Sequence, residues 1–118
     1  MAVRQTKNIL AEHWLNIARD KSTNSEGFRN ALANLGAILF SEAINEAKVK
    51  SKSLFQKRQI KTPLTKTQAY IIDQKDIYIV PVLRAGLGML NGMKDLVPNA
   101  KIAHVGLYRN EKTLEPHW

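Results

Sequence analysis

The sequence predicts an α/β fold, and three patterns along its 118 residues carry that prediction. Helical periodicity dominates residues 1–47, a period-two alternation follows in residues 48–72, and residues 76–118 contain two apolar runs separated by a turn and a helical segment. Strand, helix and strand within about 35 residues is the size of a βαβ unit. A chain of this length can bury one hydrophobic core, so we expect a single domain made of a helical region, a β-arm and a βαβ unit.

Two helices are expected in the first region. Leu10, Trp14 and Ile17 recur at helical spacing between residues 8 and 19, and a polar break follows. A second, longer helix is predicted over residues 24–47. Thr23 and Glu26 before it form the pattern of a capping box, in which a hydroxyl and a carboxylate satisfy the free amides of a helix start. The apolar side chains of this helix keep the helical period: Phe28, Leu32, Leu35 and Leu39.

The β-arm is predicted from a change of period. Lys48, Lys50 and Lys52 alternate with Val49 and serines, which favours an exposed strand. Pro63 interrupts the next extended piece, and proline is tolerated at strand edges, where its missing amide donor is not needed. We therefore interpret residues 48–72 as weakly buried antiparallel strands.

The βαβ unit is predicted from residue 77 onward. The apolar run 77–83 lacks alternation, as expected for a parallel strand that is covered on both faces. A tight turn follows at residues 84–88, then a helix over about 87–96 that stops before Pro98, and a second apolar strand over 102–108 that ends at Arg109. The crossover between the two strands is expected to be right-handed.

An arginine stands just past each predicted parallel strand, Arg84 after the first and Arg109 after the second. Ligands of open α/β sheets bind beyond the carboxyl ends of the strands, so both side chains are expected at one edge. Gly86 and Gly88 would let backbone amides approach a ligand, and a helix beginning there suits phosphate. The alternative is that the glycines serve only a tight turn and the arginines flank a sheet edge, and spacing alone leaves both open. Asn91 occupies the third glycine position of the dinucleotide fingerprint and no Walker sequence is present, so these nucleotide motifs are excluded.

The charge balance is strongly basic, with 18 lysines and arginines against 10 acidic residues. Seven cations and no acidic residue fall between residues 48 and 66, which favours contact with anions. This segment is either a solvated strand edge that lysines protect from pairing with other chains, or a nucleic-acid surface. The first is favoured, and nucleic acid is not the expected partner, because Phe55 is the one ring between residues 48 and 66 that could stack on a base.

Two runs closely resemble the uracil phosphoribosyltransferase family: VPVLRAGLGM at residues 80–89 and VGLYRNEKTLEP at residues 105–116. Weaker similarity upstream, at residues 18–21, 28–29 and 41–43, follows the family's order. The resemblance implies an incomplete type I phosphoribosyltransferase-like fold. It also implies the family's reaction in pyrimidine salvage, in which uracil and phosphoribosyl diphosphate give UMP and diphosphate with the assistance of Mg²⁺. Members of the family usually form dimers.

The resemblance also assigns roles to residues at the predicted sheet edge. By resemblance, Arg84 and Arg109 contact phosphoribosyl diphosphate, and the backbone from Ala85 through Gly86 to Gly88 forms the diphosphate-binding turn. The resemblance identifies no catalytic residue and no metal ligand in this chain, so Mg²⁺ enters only as the family's cofactor. The absence of cysteine independently excludes disulfides, thiolate metal sites and a cysteine nucleophile.

The resemblance covers the amino-terminal part of the family pattern. The family's Ala-Thr-Gly-Gly phosphoribosyl loop and its uracil-binding segment are expected downstream of Trp118. The chain is therefore interpreted as a truncated homologue, inactive alone, that binds phosphoribosyl diphosphate or diphosphate weakly and associates with a second copy or a complementing chain. The alternative, from another class, is a non-catalytic anion-binding, RNA-binding or dimer-forming protein that uses the basic arm.

The location of the protein is only coarsely indicated. No stretch approaches the roughly 18 apolar residues that cross a bilayer, so membrane insertion is not expected. Frequent lysine, asparagine and isoleucine are typical of an AT-rich genome, which leaves a cytoplasmic location or the plastid stroma.

Overall fold

The structure, a computed structural model, describes residues 3–50 and 52–117. Three α-helices lie at α1 (Ile9–Arg19), α2 (Ser25–Lys50) and α3 (Leu87–Leu96), and single turns of 3₁₀ helix lie at Lys52–Leu54 and Gln74–Asp76. The strands pair two by two: β1 (Phe55–Lys61), β2 (Lys66–Ile72), β3 (Tyr78–Ile79), β4 (Val82–Leu83), β5 (Lys101–Ile102), β6 (Val105–Gly106), β7 (Tyr108–Arg109) and β8 (Pro116–His117). The α/β class predicted from the sequence is confirmed.

Side-chain caps set where the first two helices begin. Asn8 caps α1, and Asn24 caps α2 by accepting a hydrogen bond of 2.7 Å from the amide of Gly27. The predicted capping box is wrong. The Thr23 hydroxyl donates instead, over 2.7 Å, to the carbonyl of Ile17, which belongs to the last turn of α1, where carbonyls lack helical partners. This bond links the end of α1 to the start of α2.

The arm begins later than predicted, because α2 continues to Lys50. Lys48 and Lys50 are therefore helical and Lys52 lies in a 3₁₀ turn, so the strand predicted there is wrong; Ser51 lies outside the described residues. Each residue added to an existing helix gains a backbone hydrogen bond, whereas a strand needs a partner first. A short alternation of lysines therefore does not end a long helix.

The arm itself is confirmed as an antiparallel hairpin. β1 and β2 pair along their whole length, from Phe55 opposite Ile72 at the base to Lys61 opposite Lys66 at the tip. Pro63 lies in the connecting turn rather than within a strand. Most positions of both strands are exposed, as expected for a hairpin that projects from the core.

Asp73 ties the base of the arm to the following chain. Its amide donates to the carbonyl of Leu54 over 2.9 Å, and its carboxylate accepts from the side-chain amide of Gln56 over 2.8 Å. The hydrogen bond from the amide of Lys75 is the main cause that lowers the pKa of Asp73, and burial opposes it in part. The carboxylate therefore stays ionised where it holds these segments together.

The βαβ unit is confirmed by parallel pairing on either side of α3. Val82 and Leu83 of β4 lie opposite Val105 and Gly106 of β6, and β3 pairs with β5 in the same sense. The first predicted strand is divided into β3 and β4, and the second is divided among β5, β6 and the start of β7. In the first, the division includes Pro81, which has no amide to donate to a ladder.

The second strand does not run to Arg109 as predicted. β6 ends at Gly106, and Arg109 lies in β7, which forms an antiparallel pair with β8. The side chain of Asn110 accepts hydrogen bonds from the amides of Lys112 and Thr113, over 2.9 and 3.2 Å. Such local bonds between a side chain and the backbone favour a turn over continued strand, which explains the difference.

Helices α2 and α3 cross in backbone contact at glycines. A Cβ on Gly92 would overlap the carbonyl of Ala33, and a Cβ on Gly36 would lie 2.5 Å from the carbonyl oxygen of Met89. The absence of these side chains lets the helix axes approach closely and multiplies dispersion contacts between them. The buried apolar cluster adjoins this crossing and consists of Ile77, Ile79, Leu90 and Val97.

The parallel strands are covered on one face by described residues. Ile77 and Ile79 pack against side chains of both α2 and α3, whereas the alternating Tyr78 and Val80 are 59% and 47% exposed. The prediction of a strand covered on both faces is wrong, because both helices occupy the same side. The opposite side is called the open face here, and it comprises Tyr78, Val80, Val82, Lys101 and Val105.

The helix crossing predicts a contrast between two glycine substitutions. Gly92→Ala is expected to lower the free energy of unfolding by about 3 kcal/mol or more, because the new methyl group meets backbone, which cannot change rotamer. Gly106→Ala is the matched control, since nothing lies within 4 Å of its Cβ position; its stability should be unchanged or raised by up to about 1 kcal/mol. Urea denaturation followed by circular dichroism measures both, and equal effects of the two substitutions would contradict the close crossing.

Candidate functional site

The turn between β4 and α3 carries most of the predicted anion site. It begins at Arg84, after a cis peptide bond between Leu83 and Arg84. The amide of Gly86 donates to the carbonyl of Val82 over 2.8 Å, and the amide of Leu87 donates to the carbonyl of Arg84 over 3.1 Å. The amides of residues 86–89 all donate hydrogen bonds within the turn, so each already has a partner in the chain. Within the described residues, the side chain of Arg84 and the amides of Arg84 and Ala85 donate no hydrogen bond inside this turn.

The two glycines of the turn serve packing. A Cβ on Gly86 would lie 2.8 Å from the amide nitrogen of Val82 and 3.1 Å from the Cα of Pro81, so only glycine lets the turn fold back on the strand. A Cβ on Gly88 would lie 2.6 Å from Cδ1 of Leu32, on the side of α3 that faces α2. Gly88 therefore lies at the helix interface, and its role in binding diphosphate stays a prediction.

The register of the parallel strands places the two arginines at one end of the sheet. Leu83 lies opposite Gly106, Arg84 follows Leu83 directly, and Arg109 follows Gly106 by three residues. Three residues of extended chain span at most about 10 Å. Both arginines are exposed, and neither forms an ion pair with a described residue. Their guanidinium groups are thus available to an anion that approaches this end from solvent.

An apolar groove of about 370 Å³ runs from this turn along the strand. Its walls come from α2, from the 78–82 segment and from α3, and include Phe40, Met89 and Met93 as well as Gly86. Such a lining suits a planar ring or an apolar segment of polypeptide rather than a phosphate. Sequence reasoning missed this groove, because Phe40 and Met89 are brought together only by the helix crossing.

The open face carries one polar contact. The Lys101 ammonium donates to the Tyr78 hydroxyl over 3.1 Å and lies 5.0 Å from the centre of the same ring. The hydrogen bond with Tyr78 is the main cause that raises the pKa of Lys101. The rest of this face is aliphatic and exposed, a combination that is typical of surfaces that contact another polypeptide.

Two further properties bear on the classes of function. No group of three or more histidine, cysteine, aspartate or glutamate side chains in residues 3–50 and 52–117 is arranged to hold a metal ion. In the same residues, no helix has both the length and the apolar character that a membrane span requires. The cytoplasmic or plastid location remains a prediction.

Comparison with known proteins gives a consistent result over nearly the whole chain. The family model described as uracil phosphoribosyltransferase matches residues 5–118. The chain is 41% identical over 116 residues to a uracil phosphoribosyltransferase of Wolinella succinogenes and 42% identical over 117 residues to one of Mesoplasma florum. These matches cover 98% and 99% of this chain but 53% of each relative, so the chain spans about half the length of the curated relatives it matches.

A comparison of structures agrees with the comparison of sequences. The solved structure of the AQ2163 protein from Aquifex aeolicus matches with a TM-score of 0.81 and 34% sequence identity. The match covers 99% of this chain and 53% of that one. The arrangement of helices, arm and βαβ unit therefore corresponds to about half of that larger chain.

Proposed function

The chain belongs to the uracil phosphoribosyltransferase family, and on that basis we propose that its arginine-bearing sheet end binds the diphosphate of phosphoribosyl diphosphate. The observation that carries the proposal is the pairing of Leu83 with Gly106, which sets Arg84 and the hairpin of Arg109 beyond the same end of the sheet. Two guanidinium groups can each donate a pair of hydrogen bonds to phosphate oxygens. Uracil and phosphoribosyl diphosphate are accordingly the proposed substrates of the family reaction in which this chain takes part.

Binding by this chain is proposed to be weak. The amides of residues 86–89 bond within the turn, so charge-assisted bonds from exposed arginines supply most of the attraction. Water screens such groups, which lowers what each contributes. No group of three or more histidine, cysteine, aspartate or glutamate side chains among the described residues could hold a metal ion, so the proposed binding relies on the guanidinium groups and on the amides of Arg84 and Ala85.

The 118-residue chain is further proposed not to form UMP by itself. Transfer of phosphoribose requires that both substrates be oriented and that the charge of the departing diphosphate be neutralised. This chain matches 53% of the length of its relatives, and the two arginines of its site are exposed to solvent. Catalysis is therefore assigned to an assembly in which a second polypeptide completes the site.

The open face is the proposed docking position of that second polypeptide. Its aliphatic residues are exposed although the other side of the same strands is buried, and the unmatched half of the relatives is long enough to cover it. Burying apolar surface stabilises such an association by about 25 cal/mol per Å². We propose a complementing chain of that kind, in preference to a second copy, as the occupant.

Diphosphate binding predicts a local effect of the two arginines. In a titration of ¹⁵N-labelled chain with phosphoribosyl diphosphate, the amide resonances of residues 83–86 should shift. Arg84→Gln and Arg109→Gln should each raise the dissociation constant about tenfold, the lower range for a charge-assisted hydrogen bond. Arg29→Gln, which removes an equally exposed guanidinium on α2, is the control and should bind like the parent. Unchanged spectra at millimolar ligand would contradict the proposal.

Complementation predicts activity that neither part has alone. With radiolabelled uracil and phosphoribosyl diphosphate, this chain should give no UMP, whereas a mixture with the unmatched half of the Wolinella succinogenes relative should give measurable UMP. Val80→Lys should abolish the activity of the mixture by placing a charge on the open face. Leu64→Lys at the tip of the arm, where the side chain is 96% exposed, should leave it unchanged.

The outcomes separate the two parts of the proposal. Turnover by this chain alone would refute its inactivity. If the mixture forms no UMP although circular dichroism shows that both partners are folded, the complementing chain is refuted as the occupant of the open face. Diphosphate binding would still be decided separately, by the titration.

A further inference from the structure

The register of the arm gathers residues from both strands onto one face. Opposed residues of an antiparallel pair project to the same side, and successive pairs alternate between sides. Lys57 lies opposite Tyr70, and Lys61 lies opposite Lys66, four pairs further along. Between them a pair of glutamines occupies the same side. This surface is called the basic face here, and it comprises Lys57, Gln59, Lys61, Lys66, Gln68 and Tyr70.

Tyr70 distinguishes the basic face from an ordinary solvated edge. Its side chain is 70% exposed. A lysine or threonine at such a position would cost nothing in solubility, so solubility does not explain the aromatic ring. Lys48, at the end of α2, brings its ammonium to 5.9 Å from the centre of the ring. Phe55, the ring that the sequence suggested for stacking, is instead half-buried at the base of the arm. The structure therefore supplies an accessible ring on the positive surface, opposite Lys57 and beside Lys48.

The charges of the basic face are uncompensated. No acidic residue occurs between residues 48 and 72, and neither ion pair recorded among the described residues involves this surface. The lysines at positions 57 and 61 are about 14 Å apart along the strand, given a rise of about 3.4 Å per residue. Together with Lys48 beside the ring of Tyr70, the three lysines of the face supply four ammonium groups, with side-chain amides between them that can donate or accept.

We propose that the basic face of the arm binds single-stranded nucleic acid, with the ammonium groups on phosphates and a base stacked on the ring of Tyr70. Positively charged tracks with interposed aromatic rings are the general means of binding single strands without sequence preference. A duplex keeps its bases stacked on each other and would leave the ring unused. An acidic protein surface would engage the lysines but would give no role to an exposed tyrosine ring among them.

Fluorescence anisotropy with a labelled 12-mer of adenosine nucleotides, in ribo and deoxyribo forms, tests the proposal on the 118-residue chain. With four ammonium groups, the logarithm of the association constant should fall with the logarithm of salt concentration with a slope of about −3. The triple variant Lys57→Gln, Lys61→Gln, Lys66→Gln should reduce the slope to about −1. A matched triple with the same loss of charge, Lys21→Gln, Lys94→Gln, Lys112→Gln, should keep the parent slope; all six lysines are exposed.

Tyr70→Leu separates stacking from charge. It should weaken binding of the adenosine strand by about fivefold or more and leave binding of an abasic 12-mer unchanged, because the abasic strand has the phosphates without the bases. Thermal unfolding of each variant shows that the arm remains folded. An equal loss of affinity in the two triple variants would mean that overall charge alone attracts the strand. Unchanged affinity of the Tyr70→Leu variant would mean that the surface binds any polyanion. Either result would overturn the proposal, as would self-association through the arm without binding of either strand.

Discussion

The close crossing of α2 and α3 is the contact on which the rest of this fold depends. Gly36 and Gly92 bring the two helix backbones together, and this fixes how α3 lies above the parallel strands. The same approach directs Leu90 and Met93 onto Ile77 and Ile79 beside the side chains of α2. A larger residue at the crossing would displace α3, and the turn that precedes α3 would move with it.

That turn shows how packing and binding divide the same short segment. Gly86 is required because the turn folds back on the strand, and Gly88 packs against the side chain of Leu32 of α2. The backbone amides that follow close the turn on itself, so the proposed binding of an anion rests on Arg84 and, from the neighbouring hairpin, Arg109. The family relation is the reason for proposing phosphoribosyl diphosphate as the anion, whereas the strand register explains why these two arginines lie at one end.

Two surfaces remain without a cover in the part of the chain that the structure describes, and their chemistry differs. The open face is mainly aliphatic and lies on the back of strands whose other side is buried, so it resembles a core divided in two. The basic face of the arm is hydrophilic and strongly positive, with one exposed ring. Hydrophobic burial suits the first to a complementing polypeptide, and charge with stacking suits the second to a single-stranded polyanion.

The sequence by itself determined the elements whose signals are local. The helical period, the apolar runs and the stop before Pro98 predicted α1, most of α2 and all of α3, and two motifs carried the family. Its errors came where a nearby group competes with a pattern: Asn24 replaced Thr23 as the cap, and Asn110 turned the chain before Arg109 could end a long strand.

Tertiary structure alone decided what depends on residues distant in sequence. The side of the sheet that is buried follows from the helix crossing, because both helices reach the strands from one direction. The pairing of Tyr70 with Lys57 follows from a hairpin register that no periodicity in either strand reveals. A pattern in sequence reports which side chains share a face of one element, but only packing brings two elements together and so determines which faces remain free to bind.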